Sequence, residues 1–279
     1  MAPPEGQAFQ VAAAPCGREP GVRKESAIVE GARSLYLNLM KKCLTDFIYG
    51  DVLEKPNIGP GPFDPTQRAE GRDWPAHAHT MIGLKRLDNL QYCVEDVLAR
   101  GVPGDLIETG VWRGGAAIFM RAVLKAHGVT DRRVWAADSF EGLPPPDPAK
   151  YPPDAGDRLH EFAELAIPLD EVKANFARYG LLDEQVRFLK GWFRDTLPQA
   201  PVERLALIRL DGDMYESTTD GLVNLYPKLS EGGYLIVDDY GCYDSCRQAV
   251  HDYRDAHAIA DEIHEIDWTG VYWQKSSAR

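Results

Sequence analysis

Strand-like and helix-like segments alternate regularly in this chain after residue 104. Two segments, 205–210 and 234–237, have the composition of buried strands, and a helical segment at 217–229 separates them. A strand, a helix and a second strand predict a parallel βαβ unit, in which both strands end at the same edge of the sheet. Open α/β folds bind their ligands at that edge.

Acidic residues follow both of these strands directly. They are Asp211, Asp213, Asp238 and Asp239. Carboxylates gathered at one sheet edge repel one another unless a cation or protons intervene. Because Mg²⁺ and related hard cations prefer oxygen ligands, the sequence predicts a divalent metal site there.

The remaining segments complete an α/β fold. Further strands are expected at 106–108, 134–137, 186–189, 262–266 and 271–274, and helices are expected to about residue 127, at 169–179 and at 244–257. The last two strands are close enough in sequence to pair as a hairpin. This order predicts a mostly parallel, seven-stranded sheet with helices on both faces and a C-terminal antiparallel hairpin.

Composition divides the N-terminal part of the chain. Residues 1–30 are rich in Ala, Pro, Gly and charge, which predicts a flexible tail. Apolar residues at helical spacing predict a helix over 32–48 and a second over 81–100, and the first presents Leu35, Leu39, Cys43 and Phe47 on one face. The Pro- and Gly-rich segment 55–74 predicts a loop of the kind that forms substrate lids. We expect helices and a lid over 31–103, integrated with a core over 104–279.

Composition also limits the class of partner. The formal net charge is −12, which disfavours binding to nucleic acid or to an anionic membrane. No segment has the length and apolarity of a transmembrane helix, and the N-terminus does not resemble a signal peptide. The five cysteines are odd in number and scattered, as expected for reduced thiols in the cytoplasm. The N-terminal helix and exposed loops favour a homo-oligomer.

A glycine-containing segment, Glu108 to Gly115, follows the first core strand and opens a helix. Its spacing differs from that of a dinucleotide-binding loop. Glu108 provides a carboxylate suited to an ammonium group rather than a pyrophosphate, and Asp138 ends the next strand, where an acid commonly holds two ribose hydroxyls. S-adenosylmethionine has an amine and a ribose but no phosphate, so it fits better than NAD. A purely structural glycine turn is the alternative.

The chain resembles the macrocin O-methyltransferase family, which includes the mycinamicin and novobiocin sugar O-methyltransferases. The resemblance covers residues 32 to 275. It is carried, in order, by Trp74-Pro75, residues 78–83, Arg86-Leu87-Asp88-Asn89-Leu90, residues 108–115, Asp138 to Pro144, residues 210–218 and residues 237–240. The family implies a Rossmann-like class I S-adenosylmethionine-dependent methyltransferase fold, a requirement for Mg²⁺, and a deoxysugar hydroxyl of a natural-product glycoside as the acceptor in antibiotic biosynthesis.

The resemblance also implies roles for individual residues. Asp211, Asp238 and Asp239 match the metal ligands, and Asp213 matches the general base. Tyr49 and the loop after it fall where the family has a mobile substrate lid. The positions that match cofactor contacts are Met81, Glu108, Gly110, Gly114, Gly115, Asp138, Ser139 and Trp192.

Methyl transfer to a sugar oxygen requires deprotonation or polarisation of a weak nucleophile. A bound Mg²⁺ orients the hydroxyl and lowers its pKa. On an extended backbone Asp211 and Asp213 share a face, so one can bind the metal while the other takes the proton. Asp213 as a helix N-cap is the structural alternative, and Glu216 and His79 are rival bases.

Two other functions stay open at this point. A catechol-type methyltransferase would place Mg²⁺ at the same sheet edge but would accept an aromatic diol in a planar slot. A non-catalytic cofactor-binding scaffold is the second alternative, although the four acids favour an enzyme.

Overall fold

The computed structural model describes residues 20–50, 53–55 and 59–276. Its N-terminal part is helical and contains one small hairpin. The elements are α1 (Pro20–Leu44), β1 (Leu53–Lys55), β2 (Gly59–Gly61), α2 (Pro65–Glu70) and α3 (Gly83–Ala99). β1 and β2 pair antiparallel, separate from the main sheet.

The rest of the chain alternates between strands and helices. The elements are β3 (Asp105–Thr109), α4 (Gly115–Ala126), β4 (Val134–Asp138), α5 (Leu169–Arg178), β5 (Val186–Lys190), α6 (Phe193–Thr196), β6 (Leu205–Leu210), α7 (Tyr215–Leu225), β7 (Leu229–Val237), α8 (Asp244–Ala256), β8 (His264–Glu265) and β9 (Val271–Gln274). Short 3-10 turns lie at Pro152–Asp154, Leu159–Glu161 and Ala163–Leu165, in the connection between β4 and α5.

The main sheet has seven strands in the order β5-β4-β3-β6-β7-β9-β8. β3 to β7 are parallel, whereas β9 pairs antiparallel with both β7 and β8. The predicted α/β fold with a C-terminal antiparallel hairpin is therefore confirmed. The chain runs outward from β3 to β5 and then returns to β6 on the other side of β3. This change of direction opens a crevice at the carboxyl ends of β3 and β6.

Alternate residues of each central strand supply the cores on the two faces of the sheet. Leu106 of β3 packs with α1, α3, α4 and α5 on one face. Ile107, the next residue, packs with α7 and α8 on the other. Because both faces are covered by helices, the central strands are buried along almost their whole length.

The first helix differs from its prediction in extent and in phase. It begins at Pro20 and ends at Leu44, so Phe47 lies beyond its end. Leu37, Met40 and Leu44 are buried in the core, whereas Leu35 is 74% exposed and Leu39 is 53% exposed. Both sets of residues fit helical spacing, and periodicity alone does not tell which face is packed. The expected division at residues 30 and 103 stays a prediction.

The segment 55–74, predicted as a loop, contains a helix. Asp64 caps α2 by accepting hydrogen bonds from the amides of Thr66 and Gln67, at 2.8 and 3.2 Å. Arg68 is 1% exposed, and its guanidinium contacts Asp73 and the carbonyl of Thr45 at 2.7 Å each. The ion pair with Asp73 fixes Arg68 within the segment, and the hydrogen bond to Thr45 holds the segment against the end of α1.

Within the described residues no helix is long and apolar enough to cross a membrane. The four cysteines in this part of the chain, Cys43, Cys93, Cys242 and Cys246, are free, as predicted for reduced thiols.

Gly110 occupies the turn after β3 and is irreplaceable for a local steric reason. Its φ is +78°, and a Cβ there would lie 1.7 Å from the carbonyl oxygen of Asp211. We expect Gly110→Ala to lower the free energy of unfolding by more than about 3 kcal/mol, because strain and overlap with backbone combine. Gly128→Ala is the control, since Gly128 has a similar φ of +67° but nothing within 4 Å. Equal losses in urea unfolding for the two variants would contradict this account.

Candidate active site

A cavity of about 320 Å³ lies at the crevice predicted from the strand order. Its polar wall comes from the carboxyl ends of β3, β4, β6 and β7. Its apolar wall comes from the segment 71–82 and from the connection between β4 and α5, with Trp74, Leu143, Leu159 and Leu165 among its residues. All four predicted aspartates line it.

Three of the aspartates form a compact cluster. One carboxylate oxygen from each of Asp211, Asp213 and Asp239 lies within 4.8 Å of the other two. Burial raises the pKa of Asp211 to about 6, with a further contribution from Asp238 that Arg209 opposes. Burial and the neighbouring carboxylates also raise the pKa of Asp213 and of Asp239. This destabilisation of the charged forms is what a bound cation relieves.

Asp213 reaches the cluster through a turn rather than along an extended strand. β6 ends at Leu210, and Asp213 has a φ of +56°, in the left-handed region. Its amide donates to Asp239 at 3.1 Å, which holds the turn against the end of β7. The expectation that Asp211 and Asp213 share a strand face is therefore wrong in its geometry, although both residues line the same cavity.

Asp238 lies outside this cluster because two arginines hold it. Arg209 contacts one of its oxygens and Arg86 contacts the other. All three side chains are at most 6% exposed. Arg86 also approaches Asp267, at 3.1 Å. Asp238 as a metal ligand stays a prediction.

Arg209 connects the two sides of the cavity. Its Nη1 lies 2.7 Å from Glu108 and 2.7 Å from Asp211, while its Nη2 contacts Asp238. The side chain is 2% exposed. The three carboxylates belong to three adjacent strands or their ends, so one guanidinium holds together the edge of the sheet where the acids gather.

Glu108 and Asp138 mark the predicted side for the methyl donor. Glu108 is buried; its Oε1 is paired with Arg209, and its Oε2 is without a hydrogen-bond partner in the described structure. Burial raises the pKa of Glu108 to about 8, against the opposing effect of Arg209. Asp138 accepts hydrogen bonds from the amides of Val111 and Phe140, at 2.8 and 2.6 Å. These bonds fix the carboxylate at the start of the glycine turn.

The other predicted cofactor positions divide into two groups. Gly110, Met81, Ser139 and Trp192 line the cavity. Gly114 and Gly115 are absent from that wall. A Cβ on Gly114 would meet Val172 at 2.9 Å, and the amide of Gly115 donates to the carbonyl of His79 at 2.9 Å. The glycine pair therefore allows close packing behind the cavity, and its contact with a cofactor stays a prediction.

Tyr49, the predicted lid residue, is 89% exposed and is not among the residues that line the cavity. Part of the loop that follows it, at 51–52 and 56–58, lies outside the described residues. The lid stays a prediction.

The rival bases differ in their access to the cavity. His79 is not part of the cavity wall; its Nδ1 lies 2.7 Å from the hydroxyl of Tyr179, and burial lowers its pKa to about 4. Glu216 does line the cavity, but its Oε1 is 3.2 Å from Arg194. Asp213 is therefore the best placed candidate base.

The alternative that Asp213 caps α7 is wrong. The N-cap of α7 is Met214, which makes no side-chain cap. The carboxylate of Asp154 instead accepts hydrogen bonds from the amides of Tyr215 and Glu216.

Comparison with known proteins decides the family. Residues 33–275 match the family described as Macrocin-O-methyltransferase (TylF). This chain belongs to the macrocin O-methyltransferase family. The resemblance noted from the sequence is thereby confirmed over almost the same range.

The relatives of this macrocin O-methyltransferase family member include three named O-methyltransferases. The chain is 63% identical, over 90% of its length and 96% of the relative's, to the 8-demethyl-8-(2,3-dimethoxy-alpha-L-rhamnosyl)-tetracenomycin-C 4'-O-methyltransferase of Streptomyces olivaceus. It is 55% identical, over 87% of its length and 97% of the relative's, to the mycinamicin III 3''-O-methyltransferase of Micromonospora griseorubida. A third relative is the demethyldecarbamoylnovobiocin O-methyltransferase of Streptomyces niveus, at 55% identity over 87% of this chain and 94% of that relative.

Solved structures show the same fold. The O-methyltransferase NovP superposes with a TM-score of 0.84 at 55% identity, covering 88% of this chain and all of that chain. The calicheamicin methyltransferase CalS11 has a TM-score of 0.54 at 17% identity, which shows the fold alone. The prediction of a class I methyltransferase fold is confirmed.

Sequence reasoning missed the residues that hold this methyltransferase site together. Arg209, Arg86 and Asp154 are distant in sequence from most of their partners. The available signal was an arginine inside the otherwise apolar segment 205–210, because a charge in a buried strand requires a partner.

Removing Arg209 would leave the buried Glu108 and the half-buried Asp211 without their counter-ion, and would leave Asp238 with Arg86 alone. We expect Arg209→Met to lower the free energy of unfolding by about 3 to 5 kcal/mol. Arg209→Lys should lose less, because it keeps the charge but not the fork that reaches all three acids. The measurement is chemical unfolding of the cation-free protein.

Arg158→Met is the control, because Arg158 pairs with Glu161 on an exposed surface. That variant should unfold as the wild type does. If Arg209→Met matched it, Arg209 would not be the central counter-ion.

Proposed function

We propose that this chain is an S-adenosylmethionine- and Mg²⁺-dependent O-methyltransferase acting on a deoxysugar hydroxyl of a natural-product glycoside in antibiotic biosynthesis. The observation that carries the proposal is that Glu108 and Asp138 share one cavity with the Asp211, Asp213 and Asp239 cluster. A methyl donor and an activated hydroxyl must meet in such a space.

The residues present fit the methyl donor. S-adenosylmethionine has an ammonium group, a ribose and an adenine. Glu108 has a buried oxygen without a protein partner, suited to the ammonium. Asp138 accepts the amide of Phe140 and the hydroxyl of Ser139 on one oxygen and only the amide of Val111 on the other, so the second oxygen keeps a lone pair for a ribose hydroxyl. Trp192 and Phe193 provide aromatic surface in the same cavity.

The residues also fit a divalent cation. Asp211, Asp213 and Asp239 present oxygens within 4.8 Å of one another, and burial raises the pKa of all three. An all-oxygen set is the kind that Mg²⁺ prefers. Both Asp211 and Asp239 are in the set implied by the family resemblance, so these two are the ligands we propose with most support.

The chemistry follows from these assignments. Glu108 and Asp138 would hold the sulfonium donor, which would supply an electrophilic methyl group when bound. Asp211 and Asp239 would hold a cation able to lower the pKa of the acceptor hydroxyl. Asp213 accepts the proton of that hydroxyl, since it lines the cavity beside the cation ligands. Arg209 holds Asp211 in place, and Glu108 orients the donor. The apolar wall excludes water from the reacting groups.

Relatives favour a sugar hydroxyl over an aromatic diol. One is named for a rhamnosyl-bearing tetracenomycin C, and another for the 3''-position of mycinamicin III. The apolar wall with Trp74, Leu159 and Leu165 suits the aglycone of such a compound. We therefore rank the catechol-type alternative second.

Further properties complete the proposal. We expect a homo-oligomer in the cytoplasm that binds neither nucleic acid nor membrane. We also expect Tyr49 and its loop to cover the bound glycoside.

The test is methyl transfer from S-adenosylmethionine with Mg²⁺ present. The acceptors are 8-demethyl-8-(2,3-dimethoxy-α-L-rhamnosyl)-tetracenomycin C, mycinamicin III and demethyldecarbamoylnovobiocin, with catechol as the aromatic diol. We expect methyl transfer to at least one glycoside and none to catechol. Mass spectrometry of the products measures the transfer. Transfer to catechol alone would overturn the sugar assignment, and transfer that persists in excess chelator would remove the cation.

Asp213→Asn separates the two roles open to Asp213. As the base, it should lose turnover by about 10²- to 10⁴-fold while Mn²⁺ and S-adenosylhomocysteine still bind, because an amide cannot take the proton. If Mn²⁺ affinity, measured by calorimetry, falls together with turnover, Asp213 is a cation ligand instead.

Asp157→Asn is the matched control for Asp213→Asn. Asp157 acts on Asp213 through its charge but is not part of the cavity wall. Turnover in this variant should stay near that of the wild type. An equal loss in both variants would mean that only local charge matters.

A further inference from the structure

Asp154 lies in the long connection between β4 and α5, yet it binds the start of α7. It sits in the 3-10 turn Pro152–Asp154 and is 1% exposed. Its two oxygens accept hydrogen bonds from the amides of Tyr215 and Glu216, at 2.7 and 3.0 Å. Asp154 is thus a cap supplied from about sixty residues away in sequence.

The cap replaces one that α7 lacks. Met214 has no side chain able to accept the free amides of the first turn. An Asp at a helix N-terminus satisfies such amides and interacts favourably with the helix dipole. The start of α7 therefore depends on Asp154.

The start of α7 is also the end of the turn that carries Asp213. Only Met214 separates Asp213 from the first helical residue, Tyr215. Asp213 has a left-handed φ of +56°, which costs energy in a residue other than glycine. One end of the turn is fixed at Asp211, whose amide donates to Thr109 at 2.9 Å. Asp154 fixes the other end.

The segment around Asp154 also contributes to the apolar cavity wall. The amide of Asp157 donates to the carbonyl of Asp154 at 3.1 Å, and Leu159, two residues further on, lines the cavity. The ring of Tyr151 lies 6.0 Å from that of Tyr215. The segment 151–159 thus contributes to the apolar wall of the cavity and also contacts the end of the turn that carries Asp213.

We propose that Asp154 is a positioning residue for Asp213. It holds the Asp213 carboxylate at a fixed position relative to the apolar wall of the cavity. The assignment rests on the proposed role of Asp213 in methyl transfer. Asp154 itself does not line the cavity and touches no reacting group.

The experiment uses the full chain with Asp154→Asn and Asp154→Ala. Asn keeps one acceptor and Ala keeps none, so the effects should be graded. We expect hydrogen exchange to rise in the peptide covering 211–218 and to stay unchanged in 105–115. Turnover should fall by roughly 3- to 30-fold, the loss that corresponds to one N-cap, while S-adenosylhomocysteine binds as in the wild type.

Asp105→Ala is the control, because Asp105 accepts hydrogen bonds from the amide of Arg133 and the indole of Trp135, at 2.9 and 2.8 Å, at the amino end of β3, and does not line the cavity. It should change exchange around residues 133–135 without changing turnover. Unchanged exchange at 211–218 in Asp154→Ala would overturn the proposal. An equal loss of S-adenosylhomocysteine affinity and turnover would also overturn it, because it would show that the whole cavity has become less ordered.

The exchange measurement needs no acceptor, so the inference can be tested separately from the proposed function. If the wild type methylates none of the glycosides, the proposed function fails. If hydrogen exchange at 211–218 still rises in the Asp154 variants, Asp154 anchors the turn. Its role in catalysis would then be rejected together with the proposed function.

Discussion

One buried guanidinium controls the arrangement of this site. Arg209 lies on β6 directly opposite Glu108 of β3, and beside the end of β7 that carries Asp238. Burying a charge without partners is very costly, so the strands are constrained to bring their acids to it. The same contact that stabilises the sheet edge therefore sets the positions of Glu108, Asp211 and Asp238.

The network leaves an excess of negative charge. Glu108, Asp211, Asp238 and Asp267 share Arg86 and Arg209 as counter-ions, and Asp213 and Asp239 lie beside them. The proposed divalent cation and sulfonium donor are both positive, and they would supply the charge that this arrangement lacks. The shortage of positive charge also appears in the raised pKa of each clustered aspartate, because a buried carboxylate beside other carboxylates binds a proton more readily.

The sequence predicted the features that depend on local pattern. Apolar runs located the strands, and the acids directly after them located the site, because a parallel strand and its following turn are contiguous in sequence. The predicted buried face of α1 was wrong because Leu35 and Leu37 lie on different faces of the helix and both faces carry apolar residues. The predicted cap of α7, Asp213, was wrong because the observed cap, Asp154, is distant in sequence and only folding brings it near.

The separation of roles among the aspartates is the clearest case of this limit. Sequence alone makes Asp238 and Asp239 equivalent neighbours, yet Asp239 joins the cluster while Asp238 lies between Arg86 and Arg209. Adjacent residues at a strand end point in different directions, so neighbours in sequence face different partners. Each oxygen of Asp238 has one arginine partner, so a cation that recruited Asp238 would share its carboxylate with Arg86 and Arg209. Asp238 as a metal ligand therefore stays a prediction that the two arginines do not exclude.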